Sequence, residues 1–201
     1  MRERLMLMRH GETVWNAEHR FTTRTDVELS AAGLEQAAEA ARALSAVGID
    51  RVFASPLSRA RRTAELIAAA QATDCPVLVD ERLTEIDAGP FEGMTSAEIA
   101  AGDLAEAYHG WHALGTEFPP GTERFDDALA RASEFFADHA DLPGSTLVVT
   151  HGSLARLIVC SHFLGGPPRN HRRLWLDNCR LALFQERDGE QKMMGFNILA
   201  P

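Results

Sequence analysis

The stretch Leu5-Met6-Leu7-Met8-Arg9-His10-Gly11-Glu12-Thr13 decides how the chain is read. An unbroken apolar run of buried-strand type is followed directly by a cation and an imidazole. The pattern recurs: Leu147-Val148-Val149-Thr150 runs into His151-Gly152, and Val52-Phe53-Ala54 runs into Ser55-Pro56-Leu57-Ser58-Arg59. Three β-type runs thus each deliver a polar group at their C-terminal end, the edge where open α/β sheets bind ligands. Two histidines and two arginines converging there suggest a site for a small phosphorylated anion.

Outward from these runs the chain alternates strand and helix. Ser30 is the expected N-cap of a helix bearing Leu34, Ala37, Ala38, Ala41 and Leu44 at helical spacing, with Gly48 as its stop. Ser55 as cap and Pro56 at the first helical position are expected to open a second helix running to Ala70. Val77-Leu78-Val79 is a further short strand, and residues 152–163 a helix after the 146–150 strand. The tail carries β-type runs from Arg180 to Glu186 and from Lys192 to Leu199, with Asp188-Gly189 as a hairpin turn. Residues 86–140 read differently. Gly- and Pro-rich loops separate short helices near Ser96 to Ala101 and Leu104 to His112, and a longer helix is capped by Thr122, with Glu123, Asp126 and Asp127 in its first turn. This stretch is read as a cap insertion over the strand ends within a single domain, 1–201. The expected fold is α/β: a mostly parallel central sheet with helices on both faces.

Composition narrows the function. The chain has 201 residues, 45% hydrophobic and 24% charged, as expected of one globular domain. Acidic residues outnumber basic ones 29 to 20, and the net charge of -9 argues against a nucleic-acid partner. Clustered arginines in such a chain need a local reason. Cys75, Cys160 and Cys179 show no metal-ligand or disulfide spacing and read as small buried hydrophobes or free thiols. The N-terminus lacks a signal-peptide pattern, and Arg156 and His162 interrupt the apolar run from Leu154 to Leu164. The expectation is a cytoplasmic protein without a membrane partner, whose apolar C-terminal hairpin is a candidate homodimer surface.

The ordered set Arg9-His10-Gly11-Glu12-Thr13, Asn16, Asp26 to Gly33, Ser55-Pro56-Leu57-Ser58-Arg59-Ala60, Glu85 and Thr150-His151-Gly152 resembles the histidine phosphatase superfamily, also called phosphoglycerate-mutase-like. The resemblance covers nearly the whole chain. It implies that His10 is the nucleophile and forms a phosphohistidine, with a backbone carbonyl, that of Gly11, holding its tautomer. It implies that Arg9 and Arg59 clamp the phosphoryl oxygens, that His151, Asn16 and the Gly152 N–H add donors, and that Glu85 protonates the leaving group, with Asp87 as a nearby competitor. No cofactor or metal is implied. His109 and His112, three residues apart on a helix, lack a matching carboxylate or Cys partner and read as a surface or cap pairing. Trp15 and Trp111 read as packing residues.

The chain also departs from the family pattern. Thr22-Thr23 stands where relatives carry Gln-Gly or Ser-Gly; both threonines are expected to line the substrate site, and the Cβ of Thr23 restricts backbone approach. Glu85 to Thr95 resembles the phosphatase branch, and Arg124 replaces a small residue near the site mouth. The expected activity is hydrolysis of a small phosphorylated metabolite. The alternatives are a phosphoglycerate-type mutase and a catalytically silent phospholigand-binding module.

Overall fold

A computed structural model describes residues 2–187 and 190–201. The predicted turn at Asp188-Gly189 lies outside the described residues. Six strands, β1 (Arg2–Arg9), β2 (Arg51–Ala54), β3 (Val77–Val79), β4 (Gly144–Thr150), β5 (Leu181–Arg187) and β6 (Glu190–Ile198), form one sheet in the order β3-β2-β4-β1-β5-β6. The first four are parallel, and β5 and β6 add an antiparallel edge. The mostly parallel sheet is therefore as expected.

Unbroken apolar runs arise because both faces of the central strands are covered. Side chains alternate along β1: Leu5 and Leu7 join one core, Met6 and Met8 the other, all fully buried. The Met6 face packs against α2 (Ala31–Leu44) and α3 (Ser58–Ala69), which follow the four-residue helix α1 (Val14–Ala17). The Leu5 face is covered by α6 (Phe125–Asp138) and α7 (Gly152–Leu157). Between β3 and α6 lie the short α4 (Ser96–Ala100) and α5 (Ala105–Tyr108). Phe135 of α6 meets Phe53 of β2 with ring centroids 5.1 Å apart.

Ser30 caps α2 as expected: its hydroxyl oxygen accepts from the Gly33 N–H at 3.0 Å. The same hydroxyl donates to Glu12 Oε1 at 2.8 Å, tying the loop after β1 to the helix. A Cβ on Gly33 would lie 1.9 Å from the Glu12 carbonyl oxygen, so only glycine allows this approach.

Two expected caps are corrected. α3 begins at Ser58, after Leu57, rather than at Pro56, because Ser55 still continues the sheet: its N–H donates to Val149 O at 3.1 Å. α6 begins at Phe125, because the Thr122 hydroxyl turns back to Pro119 O at 2.7 Å and Glu123 pairs with Arg131 at 2.7 Å. The 152–163 helix is also not uniform; it widens to π-helical winding over Ile158–Phe163. Among the described residues no helix is long and apolar enough to cross a membrane.

Candidate active site

β2, β4 and β1 lie side by side, with Ala54 opposite Val149 and Arg9 opposite Thr150. The residues that follow them, Ser55, His151 and His10, therefore meet at one sheet edge. The His10 N–H donates to Thr150 O at 3.0 Å, extending the ladder one step. The His10 and His151 rings stand edge to face, centroids 5.0 Å apart.

His10 is almost wholly buried, and its Nδ1 lies 2.6 Å from Gly11 O. A carbonyl can only accept, so Nδ1 carries the proton and Nε2 keeps its lone pair. Burial, then Arg59, then Arg9, hold His10 well below the usual histidine range, against a smaller opposing effect of the Gly11 bond. The imidazole is thus neutral and in the tautomer a nucleophile needs.

Arg59 is fully buried. It donates Nη1 to Thr25 O (2.9 Å), Nη2 to Thr23 O (2.8 Å) and Nε to His151 Nδ1 (3.3 Å), three of five N–H donors, which leaves two. His151 Nε2 lies 2.8 Å from Ser55 Oγ. Arg9 donates Nη1 to Leu176 O at 2.9 Å, while its buried Nε finds no acceptor. Burial, followed by Arg156, brings Arg9 down to about 10, still protonated at neutral pH.

Glu85 is held by backbone alone. Oε1 accepts from the N–H groups of Ile86 (2.9 Å) and Leu154 (2.8 Å), and Oε2 from Ser153 (2.9 Å). Its loop is tied to β4 through the Thr150 hydroxyl, which donates to Leu83 O at 2.6 Å. Asp87 is engaged elsewhere: it accepts from the Gly89 N–H at 2.8 Å and faces Arg24 at 3.7 Å.

A cavity of about 470 Å³ opens over these groups; Arg9, His10, Asn16, Thr22, Thr23, Glu85 and Gly152 all reach its wall. Arg59 and His151 do not reach it and sit behind, against His10. Asn16 Oδ1 accepts from the Thr13 N–H at 3.2 Å, a reciprocal cap of α1 that leaves the amide NH2 as its remaining donor. Thr22 bonds to Arg20 O at 3.2 Å. Thr23 is a strut: its N–H lies 3.0 Å from both oxygens of Glu92, its hydroxyl donates to Glu92 Oε2, and its carbonyl holds Arg59. The Glu12 carboxylate accepts from the Ser30 hydroxyl rather than from either arginine. Arg124 lies over the Phe118 ring at 4.7 Å, away from the cavity wall. His112 stacks on Tyr108 at 4.8 Å, and among the described residues no cluster of three metal-type ligands forms.

Sequence reading missed several wall residues. Asn178 donates Nδ2 to His10 O at 2.9 Å, and Arg156 and the exposed Trp175 also line the cavity. Arg156 stood only as a break in an apolar run; its position one turn after His151-Gly152 was the available signal.

This arrangement, a neutral buried histidine with its Nε2 lone pair available and two arginines nearby at a sheet edge, has the chemistry to take up a phosphoryl group. The family model of the histidine phosphatase superfamily, branch 1, matches residues 5–199, and the chain belongs to that superfamily. It is 34% identical over 199 residues to GpmB of Salmonella paratyphi B, named a probable phosphoglycerate mutase, covering 96% of this chain and 89% of that one. The structure is similar to an alpha-ribazole phosphatase from Shigella flexneri (TM-score 0.86, 26% identity, 98% and 97% of the two chains covered). It is equally similar to a mycobacterial glucosyl-3-phosphoglycerate phosphatase (TM-score 0.86, 28% identity, 98% and 99% covered).

Proposed function

We propose that the protein is a phosphomonoesterase that hydrolyses a small phosphorylated metabolite through a phosphohistidine on His10, without a metal. The observation that carries this is the 2.6 Å bond from His10 Nδ1 to Gly11 O, which frees Nε2 as nucleophile. In the first step Nε2 attacks phosphorus and the P–O bond to the leaving group breaks. Arg9 meets the charge on the phosphoryl oxygens from the cavity wall, and Arg59, behind His10, adds its fixed positive charge through space. Glu85, in its protonated form, gives the leaving oxygen its proton. Water then attacks phosphorus, Glu85 takes the water's proton, and the P–N bond breaks to restore His10. Asn16 and the Gly152 N–H supply neutral donors. His151 acts from behind, setting the position of Arg59. The reaction runs on a single domain in which the part of residues 86–140 ahead of α6 covers the site.

A mutase reading is favoured by the name of the 34%-identical relative. Against it stands Thr23, whose N–H is already held by Glu92 and is not free for a substrate carboxylate. The test is phosphate release from p-nitrophenyl phosphate by wild type and His10→Ala, in EDTA. Activity that survives EDTA and disappears in the variant supports the proposal. Activity lost in EDTA, or retained by the variant, overturns it. Phosphate moved between hydroxyls of one substrate without release supports the mutase.

A further inference from the structure

A second compartment of about 240 Å³ adjoins the cavity over His10, sharing Phe21, Ser153, Arg156 and Trp175 with it. Its charged side chains are Arg156 and Arg172, and no Asp or Glu lines it. Arg156 donates only to neutral acceptors: Gly152 O at 2.9 Å, Leu174 O at 3.3 Å and Ser153 Oγ at 3.3 Å. Arg172 donates Nη2 to Trp111 O at 2.7 Å, and its guanidinium lies over Phe125 (4.8 Å) and Trp111 (5.7 Å). Its Nη1 is enclosed and finds no acceptor, and neither does the indole Nε1 of Trp111. Among the described residues neither arginine has a carboxylate in ion-pair range.

Two half-buried guanidinium groups with no carboxylate in ion-pair range, and only the more distant Glu85 acting on Arg156, are expensive to fold around. The expense is the less necessary in a chain with an excess of acidic side chains. The neighbouring histidines register the same positive field. Burial, then Arg172 and Arg156, bring His112 down to about 4. Burial, with Arg156 and Arg172 adding to it, brings His171 to about 3 against its bond to Pro168 O. Both rings are neutral at working pH, so the compartment's charge comes from the arginines alone, and the ligand must supply the negative charge.

We propose that this compartment is a second anion subsite: it takes an oxyanion carried on the leaving group of the substrate, with the aromatic walls packing the carbon body between the two anions. The inference rests on the phosphomonoesterase reading and names its substrate class, a phosphate ester bearing a second anionic group. Planar guanidinium forks suit a carboxylate or a second phosphoryl group equally well, and the experiment separates them.

The probes are 4-carboxyphenyl phosphate, its neutral isostere 4-carbamoylphenyl phosphate, and 1,4-phenylene bisphosphate. The amide is the better leaving group, so any preference for the acid reports binding. Wild type is expected to favour at least one probe that carries a second anionic group over the amide by about tenfold or more in kcat/KM, chiefly through KM. Whichever probe is preferred names the oxyanion. In Arg172→Met that preference is expected to collapse toward unity. Arg156→Met gives the same reading if Arg172→Met does not fold. A preference near unity in wild type, or one unchanged in a folded variant, overturns the subsite. If no ester is cleaved the phosphomonoesterase reading falls instead. Calorimetric titration of the same probes into wild type and Arg172→Met then still decides the subsite, because tighter binding of the probes with a second anionic group supports it and equal binding refutes it.

Discussion

Arg59 donates its Nε–H to Nδ1 of His151 at 3.3 Å, and that bond fixes where His151 keeps its proton. A guanidinium can only donate, so Nδ1 is the acceptor and the proton sits on Nε2, 2.8 Å from Ser55 Oγ. Ser55→Ala leaves that buried N–H without a partner, which costs about 1–3 kcal/mol. The melting temperature is expected to fall by roughly 2–4 °C per kcal/mol. An unchanged melt would show that the Ser55 bond carries no stability.

His10→Ala is expected to lower phosphate release by roughly a thousandfold or more, since no other group offers a nucleophile at that position. His10 lies past the end of β1, not among the apolar side chains of either core. The far-ultraviolet circular dichroism of the variant should therefore match wild type. Residual turnover above a few per cent, in a folded variant, would move the nucleophile elsewhere.

Glu85→Gln separates proton donation from positioning. The amide keeps one acceptor oxygen but turns an NH2 toward a backbone donor it now cannot satisfy, so a loss of about 1–3 kcal/mol in stability is expected. Turnover of alkyl phosphates should fall roughly a hundredfold further than that of p-nitrophenyl phosphate, whose leaving group needs no proton. Equal losses on the two substrate types would remove Glu85 from the proton-transfer step.

Glu92→Ala tests the strut behind Arg59. Glu92 accepts from the N–H of Thr23 and of Thr25, the two residues whose carbonyls hold the Arg59 guanidinium. Releasing them is expected to reduce kcat by about tenfold, as a misplaced clamp does, with a smaller effect on KM. An unchanged kcat would mean that the loop holds Arg59 without Glu92.

Stability should depend on pH in the range where histidine titrates. Burial holds His10 and His151 well below 6.5, and brings His112 to about 4 and His171 to about 3. Each therefore binds a proton more readily in the unfolded chain. Between the folded and unfolded values the unfolded chain holds more protons, so stability rises with pH through that window and is lost as pH falls below about 6.5. Melting temperatures measured from pH 7.5 to 5, above the carboxylate range, should decline with acid. A flat profile over that range would contradict the buried neutral state of these rings.

The strands were legible because burial on both faces writes an unbroken apolar run, as in Leu5 to Met8 and Leu147 to Val149. The placement of His10, Ser55 and His151 together followed from those runs ending in register. The role of Ser55 was not legible, since Ser-Pro is also an ordinary helix opening and only the Val149 contact shows the strand continuing. The burial of Arg59 depends on the carbonyls of Thr23 and Thr25, more than thirty residues earlier in the chain, and no local pattern encodes that. Arg172 was invisible for a similar reason: an arginine looks solvated until its neighbours are known.

β1, which ends at Arg9 just before His10, pairs with β4, beginning at Gly144, and with β5, beginning at Leu181. Among the described residues no strand from the first two-thirds of the sequence pairs with it. During synthesis His10 therefore waits beside a strand without partners until β4 and β5 have left the ribosome. A chain that stops short of β4 and β5 lacks the sheet edge that brings the fixed imidazole tautomer and the buried arginines together.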